Sequence, residues 1–226
     1  MPDARFLRVV TFRTNGPDSA VDAVLRAAVL PDLIEDAEIC DVWIGRREAG
    51  SDRSRVLAST WIDVQDSPEA PEAADAIALQ HRLLAELGPT TIDRIEQARL
   101  AVHARFDRLE EARVLRVFHG RVLPGELDTY VAEAESGMLA DAAVNDGLVT
   151  FALGIMGAAD ADAFVTVSAW TGWAAIEAAT GGNIRRPFAT RHAARLATFE
   201  VVHLEILPEA PNRRAPVDGP AGGRGT

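Results

Sequence analysis

The sequence contains four short segments that recur in the same order about 108 residues later, and this repeat constrains the fold more than any other feature. The first three pairs are offset by 108 or 109 residues and the fourth by 100: Phe6–Val10 with Val114–Phe118, Val42–Gly45 with Phe151–Gly154, Leu57–Trp61 with Thr166–Trp170, and Ala101–His103 with Val201–His203. Each match alone is short. Four matches in order at nearly constant spacing predict two copies of one structural unit.

Each copy shows the same succession of strand and helix patterns. Alternating apolar and polar residues predict eight strands: Phe6–Arg13, Glu38–Arg47, Arg55–Ile62, Arg99–Phe106, Arg113–Val122, Leu148–Met156, Ala163–Trp170 and Thr198–Leu207. Helical spacing of apolar residues predicts four helices. The first starts at Pro17-Asp18-Ser19, the second spans Ala73–Leu87, the third starts after Pro124-Gly125, and the fourth spans Gly172–Thr180. The order is β-α-β-β-α-β in both copies.

This order is that of the ferredoxin-like split unit, an α+β fold whose antiparallel sheet carries both helices on one face. A single copy would leave the other face of its sheet bare, so we predict that the two copies pack these faces together as a pseudo-dimeric α+β barrel. The predicted units are residues 1–110 and residues 111–207. Residues 208–226 are rich in Pro and Gly, and we predict a disordered tail there.

The composition excludes several kinds of chemistry. The chain has 23 basic residues and all of them are Arg, so neither a Schiff-base lysine nor the lysine of a phosphate-binding P-loop is available. Cys40 is the single cysteine, which excludes an internal disulfide and a cysteine-based zinc or iron–sulfur site. The net charge of −11 disfavours nonspecific binding of nucleic acid.

The sequence carries no visible targeting segment. Arg5, Arg8 and Arg13 stand in the first twenty residues without an apolar stretch between them. The longest weakly polar run, Gly147 to Ala159, is shorter than the ~20 residues that cross a bilayer. We therefore predict a cytoplasmic protein without a membrane or nucleic-acid partner. Because one chain supplies both units, we expect a monomer or a weak homodimer.

The doubled β-α-β-β-α-β order, with Trp61 and Trp170 at the ends of the third strands, resembles the dimeric α+β barrel superfamily. Within it, the chain resembles the antibiotic-biosynthesis-monooxygenase-like (ABM) domains. The resemblance covers about residues 5–107 and 112–207 and is better in the second copy, through Val122–Leu127 and the strand that ends at Trp170. The family includes cofactor-free oxygenases of aromatic polyketides, heme-degrading monooxygenases and domains without known activity. The resemblance implies a small-molecule ligand and a candidate cofactor-independent monooxygenase.

The same resemblance leaves heme open as a cofactor. Heme-degrading members of the family have a His at the end of the second helix, and His192 occupies a comparable position. They also use an Asn on the first strand, where this chain has Phe118 or His119. The expected cofactor is none, with heme binding through His192 as an alternative.

Strand parity selects a group of polar residues in the second copy. Arg116, Ser168, Trp170 and His203 can share one face of the sheet if the registers of their strands allow it. On the functional interpretation, Trp170 is an apolar wall, His203 a base and Arg116 an anion clamp, with Ser168 as a further contact. The structural alternative is a buried pair of Arg116 with Glu205 and a hydrogen-bonded core His203.

Two further features could belong to a site. His119 has the opposite parity to Arg116, and it is either a cleft residue that contacts substrate or a strand-end residue in water. The stretch Thr180–Pro187 joins two glycines to two arginines, so it either binds an anion or simply ends a helix. The five His residues show no spacing typical of metal ligands.

These observations favour a small-molecule-binding protein, with cofactor-independent oxygenation of an aromatic or polyketide-like substrate as the expected activity. His203 and His192 are the candidate catalytic residues, and Arg116, His119, Ser168 and Trp170 the candidate substrate contacts. A binding or structural module without catalysis, and a heme-binding protein, remain the alternatives.

Overall fold

A computed structural model describes most of the chain. The described residues are 6–35, 39–47, 53–61, 72–88, 91–108, 111–138, 140–141, 144–156, 160–187 and 190–207. The predicted tail, residues 208–226, lies outside these ranges.

Eight strands and two sets of helices follow the predicted order. The strands are β1 (Phe6–Thr14), β2 (Ile39–Arg47), β3 (Ser54–Trp61), β4 (Ile92–Asp107), β5 (Val114–Val122), β6 (Leu148–Ile155), β7 (Ala163–Trp170) and β8 (Leu196–Ile206). The α-helices are α1 (Asp18–Val24), α2 (Leu30–Glu35), α3 (Glu72–Leu87), α4 (Leu127–Glu133) and α5 (Trp173–Ala179). Two π-helical segments, Leu25–Val29 and Ala134–Met138, and a 3₁₀ helix, Thr190–Arg195, complete the described elements.

The strands form one closed antiparallel barrel in the order β1-β3-β2-β8-β5-β7-β6-β4. Half-sheet 1 is β4-β1-β3-β2 and half-sheet 2 is β8-β5-β7-β6, which is the ferredoxin-like strand order in both copies. Pairing of β2 with β8 and of β4 with β6 joins the two half-sheets. The predicted pseudo-dimeric α+β barrel is therefore confirmed.

Three apolar clusters account for the two faces of each half-sheet. The central cluster includes Leu7, Val117 and Leu204 and fills the barrel between the half-sheets. Each outer cluster packs one half-sheet against its own helices, with Leu83 of α3 in the first and Ile176 of α5 in the second. Burial of both faces explains why two copies in one chain form a stable core.

The junctions between the half-sheets depend on two glycines. A Cβ atom at Gly45 would lie 2.6 Å from the Leu204 Cβ, and one at Gly154 would lie 2.5 Å from the Leu100 Cβ. A side chain at either position would force the neighbouring strand to move. This pair of equivalent close approaches shows that the repeat extends to the packing inside the barrel.

The register corrects one of the four sequence matches. Arg8 of β1 lies opposite Arg99, whereas Arg116 of β5 lies opposite His203. The true counterpart of His203 is thus Arg99, at an offset of 104, and the pairing with His103 at an offset of 100 was wrong. Strings of three mostly apolar residues on strands match at several even shifts, so only the strand pairing could select the correct one.

Local differences from the predicted elements have tertiary causes. Strand β4 begins at Ile92, seven residues before the predicted Arg99, because its first half pairs with the second half of β1. The π segment Leu25–Val29 shifts the buried face of the first helix, so that both Leu25 and Val29 are buried.

None of the helices in the described ranges is long and apolar enough to span a membrane.

Candidate functional site

The register of half-sheet 2 brings four of the six predicted site residues together. Arg116 on β5 lies directly opposite Ser168 on β7 and His203 on β8. The neighbours Val114 and Phe118 pack with residues of α4 and α5, so this face points toward the helices and away from the barrel interior. Parity alone could not decide between these two faces.

Arg116 is a buried guanidinium without a carboxylate partner among the described residues. The residue is only 1% exposed, and burial lowers the pKa of the guanidinium to about 10. Nη2 donates to the backbone carbonyl of Arg186 at 2.7 Å, whereas Nε has no hydrogen-bond partner. The guanidinium also lies 5.5 Å from the centre of the Phe118 ring. A buried cation normally has an anionic partner, so Arg116 is a candidate binding site for an anion.

The structural alternative for Arg116 was wrong. Glu205 lies beside the site on β8, but its Oε2 is 3.6 Å from Nη2 of Arg46 on the neighbouring strand β2. The carboxylate that could have neutralised Arg116 is therefore directed toward another arginine.

His203 faces the same space with an unused nitrogen. Its buried Nε2 has no hydrogen-bond partner in the part of the chain that the structure describes. Burial, followed by the positive charges of Arg116 and Arg185, lowers the pKa of the imidazole to about 4. The ring is neutral at pH 7 and can accept a hydrogen bond or a proton at Nε2.

Trp170 and Ser168 form the floor of the site. Trp170 is fully buried, and its Nε1 donates to Ser168 Oγ at 2.9 Å. The hydroxyl of Ser168 lies 3.4 Å from the Arg116 carbonyl oxygen. The first copy has the same arrangement, with Trp61 Nε1 donating to Ser59 Oγ at 2.7 Å. Because the pair recurs, these contacts favour a structural role for Ser168.

The cover loop, residues 181–187, lies over Arg116. Helix α5 ends in a Schellman motif, in which the amides of Gly181 and Gly182 donate to the carbonyls of Ala178 and Glu177. Both glycines have the positive φ angles that this stop requires, 65° and 83°. This stretch therefore does end a helix, and binding of an anion to its arginines stays a prediction. The chain then places the Arg186 carbonyl on Arg116, and the charge of Arg185 contributes to the lowered pKa of His203.

Trp173 completes the site and was not among the predicted site residues. The centre of its ring lies 5.6 Å from that of His203, at an interplanar angle of 47°. The residue begins α5 after Gly172, and no sequence pattern links the start of a helix to a distant strand such as β8.

The equivalent face of the first copy is more completely filled. Arg99 takes the position of His203 and lies 4.0 Å from the Phe6 ring, while Arg8 lies 4.2 Å from the Trp61 ring. The 16-residue helix α3 buries Leu79, Leu83 and Leu87 there, whereas α5 has only seven residues. A short helix leaves Arg116 to be covered by a loop.

His119 lies apart from the other predicted residues, on the face that points into the barrel. It is exposed near the end of β5, opposite Val165 and Glu200. Burial lowers the pKa of its imidazole, whereas Glu200 and Glu96 act in the opposite direction. It lines a cleft of about 400 Å³ together with Met156, Thr198 and Phe199.

A second cleft, of about 630 Å³, lies between α4 and the 3₁₀ helix. Arg195 crosses it and forms ion pairs with Glu126 and Glu133. Both clefts are lined by residues of the second copy, and neither is lined by Arg116 or His203.

Heme binding stays a prediction, and the described residues show which part of this face is already filled. Trp170, Phe151 and Ile176 are each at most 1% exposed and fill the space between half-sheet 2 and α5. His192 belongs to the 3₁₀ helix Thr190–Arg195, and its side chain lies outside the described part of the structure. Among the described residues there is also no group of three or more His, Cys, Asp or Glu that could hold a metal ion.

The low pKa of His203 gives a first prediction. We expect an NMR titration of the imidazole, assigned with His203→Asn, to give a pKa of about 4. Arg116→Met should raise the pKa without restoring 6.5, because burial is the larger cause. The unfolded chain binds the proton more readily than the folded protein, so stability should fall as the pH drops from 6.5 to about 4. A pKa near 6.5 in the wild type would contradict the described surroundings of the ring.

Comparison with known proteins identifies the fold. No family model matches the chain, and no curated protein matches it in sequence. Among solved structures, a candidate monooxygenase from Fusobacterium nucleatum is similar at a TM-score of 0.69 and 12% identity, covering 92% of this chain and 94% of that one. A candidate monooxygenase from Lactobacillus acidophilus is similar at 0.68 and 9% identity, covering 89% and 93%.

A third structure connects the fold to the family that the sequence resembles. It is an uncharacterised ferredoxin-fold protein from Listeria monocytogenes, related to antibiotic-biosynthesis monooxygenases, at a TM-score of 0.51 and 9% identity over 91% of this chain and 96% of that one. The chain therefore has the ABM-like dimeric α+β barrel fold, as the resemblance implied.

Proposed function

We propose that this protein binds an anionic aromatic or polyketide-like molecule against Arg116 and His203 and oxygenates it without a cofactor. The observation that carries the proposal is the buried Arg116 guanidinium, which has no carboxylate partner among the described residues and faces an unpartnered imidazole nitrogen. A buried, unneutralised cation next to an unpartnered imidazole nitrogen is typical of a site that binds an anion.

The chemistry needs only a stabilised carbanion and dioxygen. An anthrone-type substrate loses a proton from its ring CH₂ group, and the resulting anion gives electrons to O₂. Loss of water from the peroxide then leaves a carbonyl. One oxygen atom of O₂ enters the product and the other leaves as water, so the substrate is the only reductant.

Each residue has a role that follows from its environment. Arg116 stabilises the substrate anion, because a cation in a dry site interacts more strongly than one in water. His203 accepts the proton at Nε2. An anion that neutralises Arg116 and Arg185 also raises the pKa of His203, since these charges contribute to its lowering, and a raised pKa makes the ring a better base. Trp173 provides an aromatic wall.

The similar structures support this proposal at the level of class. Two of them are described as candidate monooxygenases and one as related to antibiotic-biosynthesis monooxygenases. The alternative is a binding module without turnover. It is favoured by the Trp–Ser pair, which occurs in both copies and is therefore explained by packing alone.

Oxygen uptake distinguishes these functions. With 1,8-dihydroxyanthrone as substrate, we expect uptake above the spontaneous rate, with formation of the anthraquinone and no added metal or heme. His203→Ala should reduce the enzymatic rate at least 100-fold, because the proton acceptor is lost.

His103→Ala is the matched control, since His103 is exposed on β4 and should leave the rate unchanged. Tight binding of the anthrone without oxygen uptake would favour the binding module. Equal rates for the two His variants would refute the role of His203.

We also propose that the protein acts as a monomer or a weak homodimer. The barrel is closed within one chain, by β2 with β8 and β4 with β6, so the fold needs no second subunit.

A further inference from the structure

The cover loop lies over Arg116. The guanidinium belongs to a residue only 1% exposed, and neither described cleft reaches it. The group above it is the loop, whose Arg186 carbonyl accepts a hydrogen bond of 2.7 Å from Nη2. A ligand that binds Arg116 must therefore take the place of this carbonyl.

Few contacts hold the loop in this position. Gly181, Gly182, Asn183, Arg185 and Arg186 are all exposed, and Ile184 is the loop residue that packs against the apolar cluster of half-sheet 2. Within the loop, Asn183 accepts hydrogen bonds from the amides of Arg185 and Arg186, so residues 183–186 form one turn. The bond to Arg116 joins a full charge to a neutral carbonyl, and a carboxylate is the stronger acceptor.

The loop also adds a second positive charge. Arg185 directly precedes Arg186, whose carbonyl bonds Arg116, so it stands on the part of the loop that covers the guanidinium. Its charge, like that of Arg116, contributes to the lowered pKa of His203. Arg185 forms no ion pair among the described residues, and its side chain is exposed. A buried cation on the sheet and a second cation on the loop that covers it favour binding of a negatively charged group, in a chain whose net charge is −11.

We propose that the cover loop is both the entrance and the selectivity element of this site: a ligand carboxylate displaces the Arg186 carbonyl from Arg116, and Arg185 on the loop is its second cationic contact. Among aromatic molecules, those that carry a carboxylate should therefore bind most tightly, and a neutral molecule such as the anthrone should bind more weakly. This inference rests on the proposed function, because it concerns the same site.

The experiment compares an acid with its neutral isostere. Binding of 2-hydroxybenzoate and of 2-hydroxybenzamide is measured by calorimetry at pH 7 in the wild type, in Arg185→Gln and in the control Arg113→Gln. Arg113 is exposed at the start of half-sheet 2 and is not part of the site. We expect the wild type and the control to bind the acid at least tenfold more tightly than the amide. Arg185→Gln should reduce this preference to threefold or less.

Each other outcome overturns a defined part of the inference. Equal binding of acid and amide by the wild type would overturn carboxylate selectivity, while uptake of oxygen with the anthrone would still support the proposed function. An unchanged preference in Arg185→Gln would overturn the role of the loop. Failure of the wild type to bind either probe would overturn the inference, and the oxygen assay would then decide the proposed function by itself.

Discussion

Replacing Arg116 with Met is expected to weaken binding of the anionic substrate about 100-fold and to leave the protein folded. A hydrogen bond between a charged donor and a charged acceptor in a dry site contributes about 1.5–3 kcal/mol, which corresponds to a loss of this size. The free energy of unfolding should stay the same or rise, because Met fills much of the space without the cost of burying an unneutralised charge. Calorimetric titration and urea unfolding measure the two quantities.

Arg8→Met is the matched control, since Arg8 occupies the equivalent position in the first copy. It should leave the affinity unchanged. If both variants weakened binding equally, the ligand would not be specific to the second copy. If Arg116→Met lowered stability by several kcal/mol without changing affinity, the guanidinium would be a structural group.

Trp170→Ala is expected to destabilise the protein by about 3–5 kcal/mol. The ring is fully buried in the cluster between half-sheet 2 and its helices, and its removal leaves a cavity and takes away the indole donor of the Ser168 hydroxyl. For a chain of this length, the melting temperature should fall by roughly 10 °C. Urea unfolding followed by circular dichroism measures the change.

Trp61→Ala should cost less, about 1–2 kcal/mol, because Trp61 is only partly buried and is covered by Arg8 on one side. The milder changes Trp170→Phe and Trp61→Phe separate packing from ligand contact. If Trp170 forms the floor of a ligand site, Trp170→Phe should lower affinity as well as stability, and Trp61→Phe should lower stability alone. Equal stability losses for the two Ala variants would contradict the described difference in burial.

The two copies illustrate how a repeated fold can carry one site. Both retain the Arg on the first strand and the Trp–Ser pair at the end of the third. They differ where chemistry would occur, with Arg99 in place of His203 and a long helix in place of a short helix and loop. We infer that the first copy serves mainly to close the barrel and that the second one carries the ligand.

The sequence determined the architecture because the repeat and the strand and helix periods are local properties. Apolar alternation predicted all eight strands within a few residues, apart from the first half of β4, and the order of elements predicted the doubled ferredoxin-like unit. Parity also selected Arg116, Ser168, Trp170 and His203 as residues of one face, since side chains alternate along every strand.

Only the tertiary structure decided which face this was, and what stands next to each side chain. Pairing between strands places Arg116 opposite His203 and His119 on the other face of the sheet. It also brings Glu205 next to Arg46, with which it forms an ion pair. It also brought Trp173 and the cover loop to the site from a helix and a turn that no periodicity links to β5 or β8. Register, burial and charge at a point depend on chain segments far apart in sequence, and local patterns do not record them.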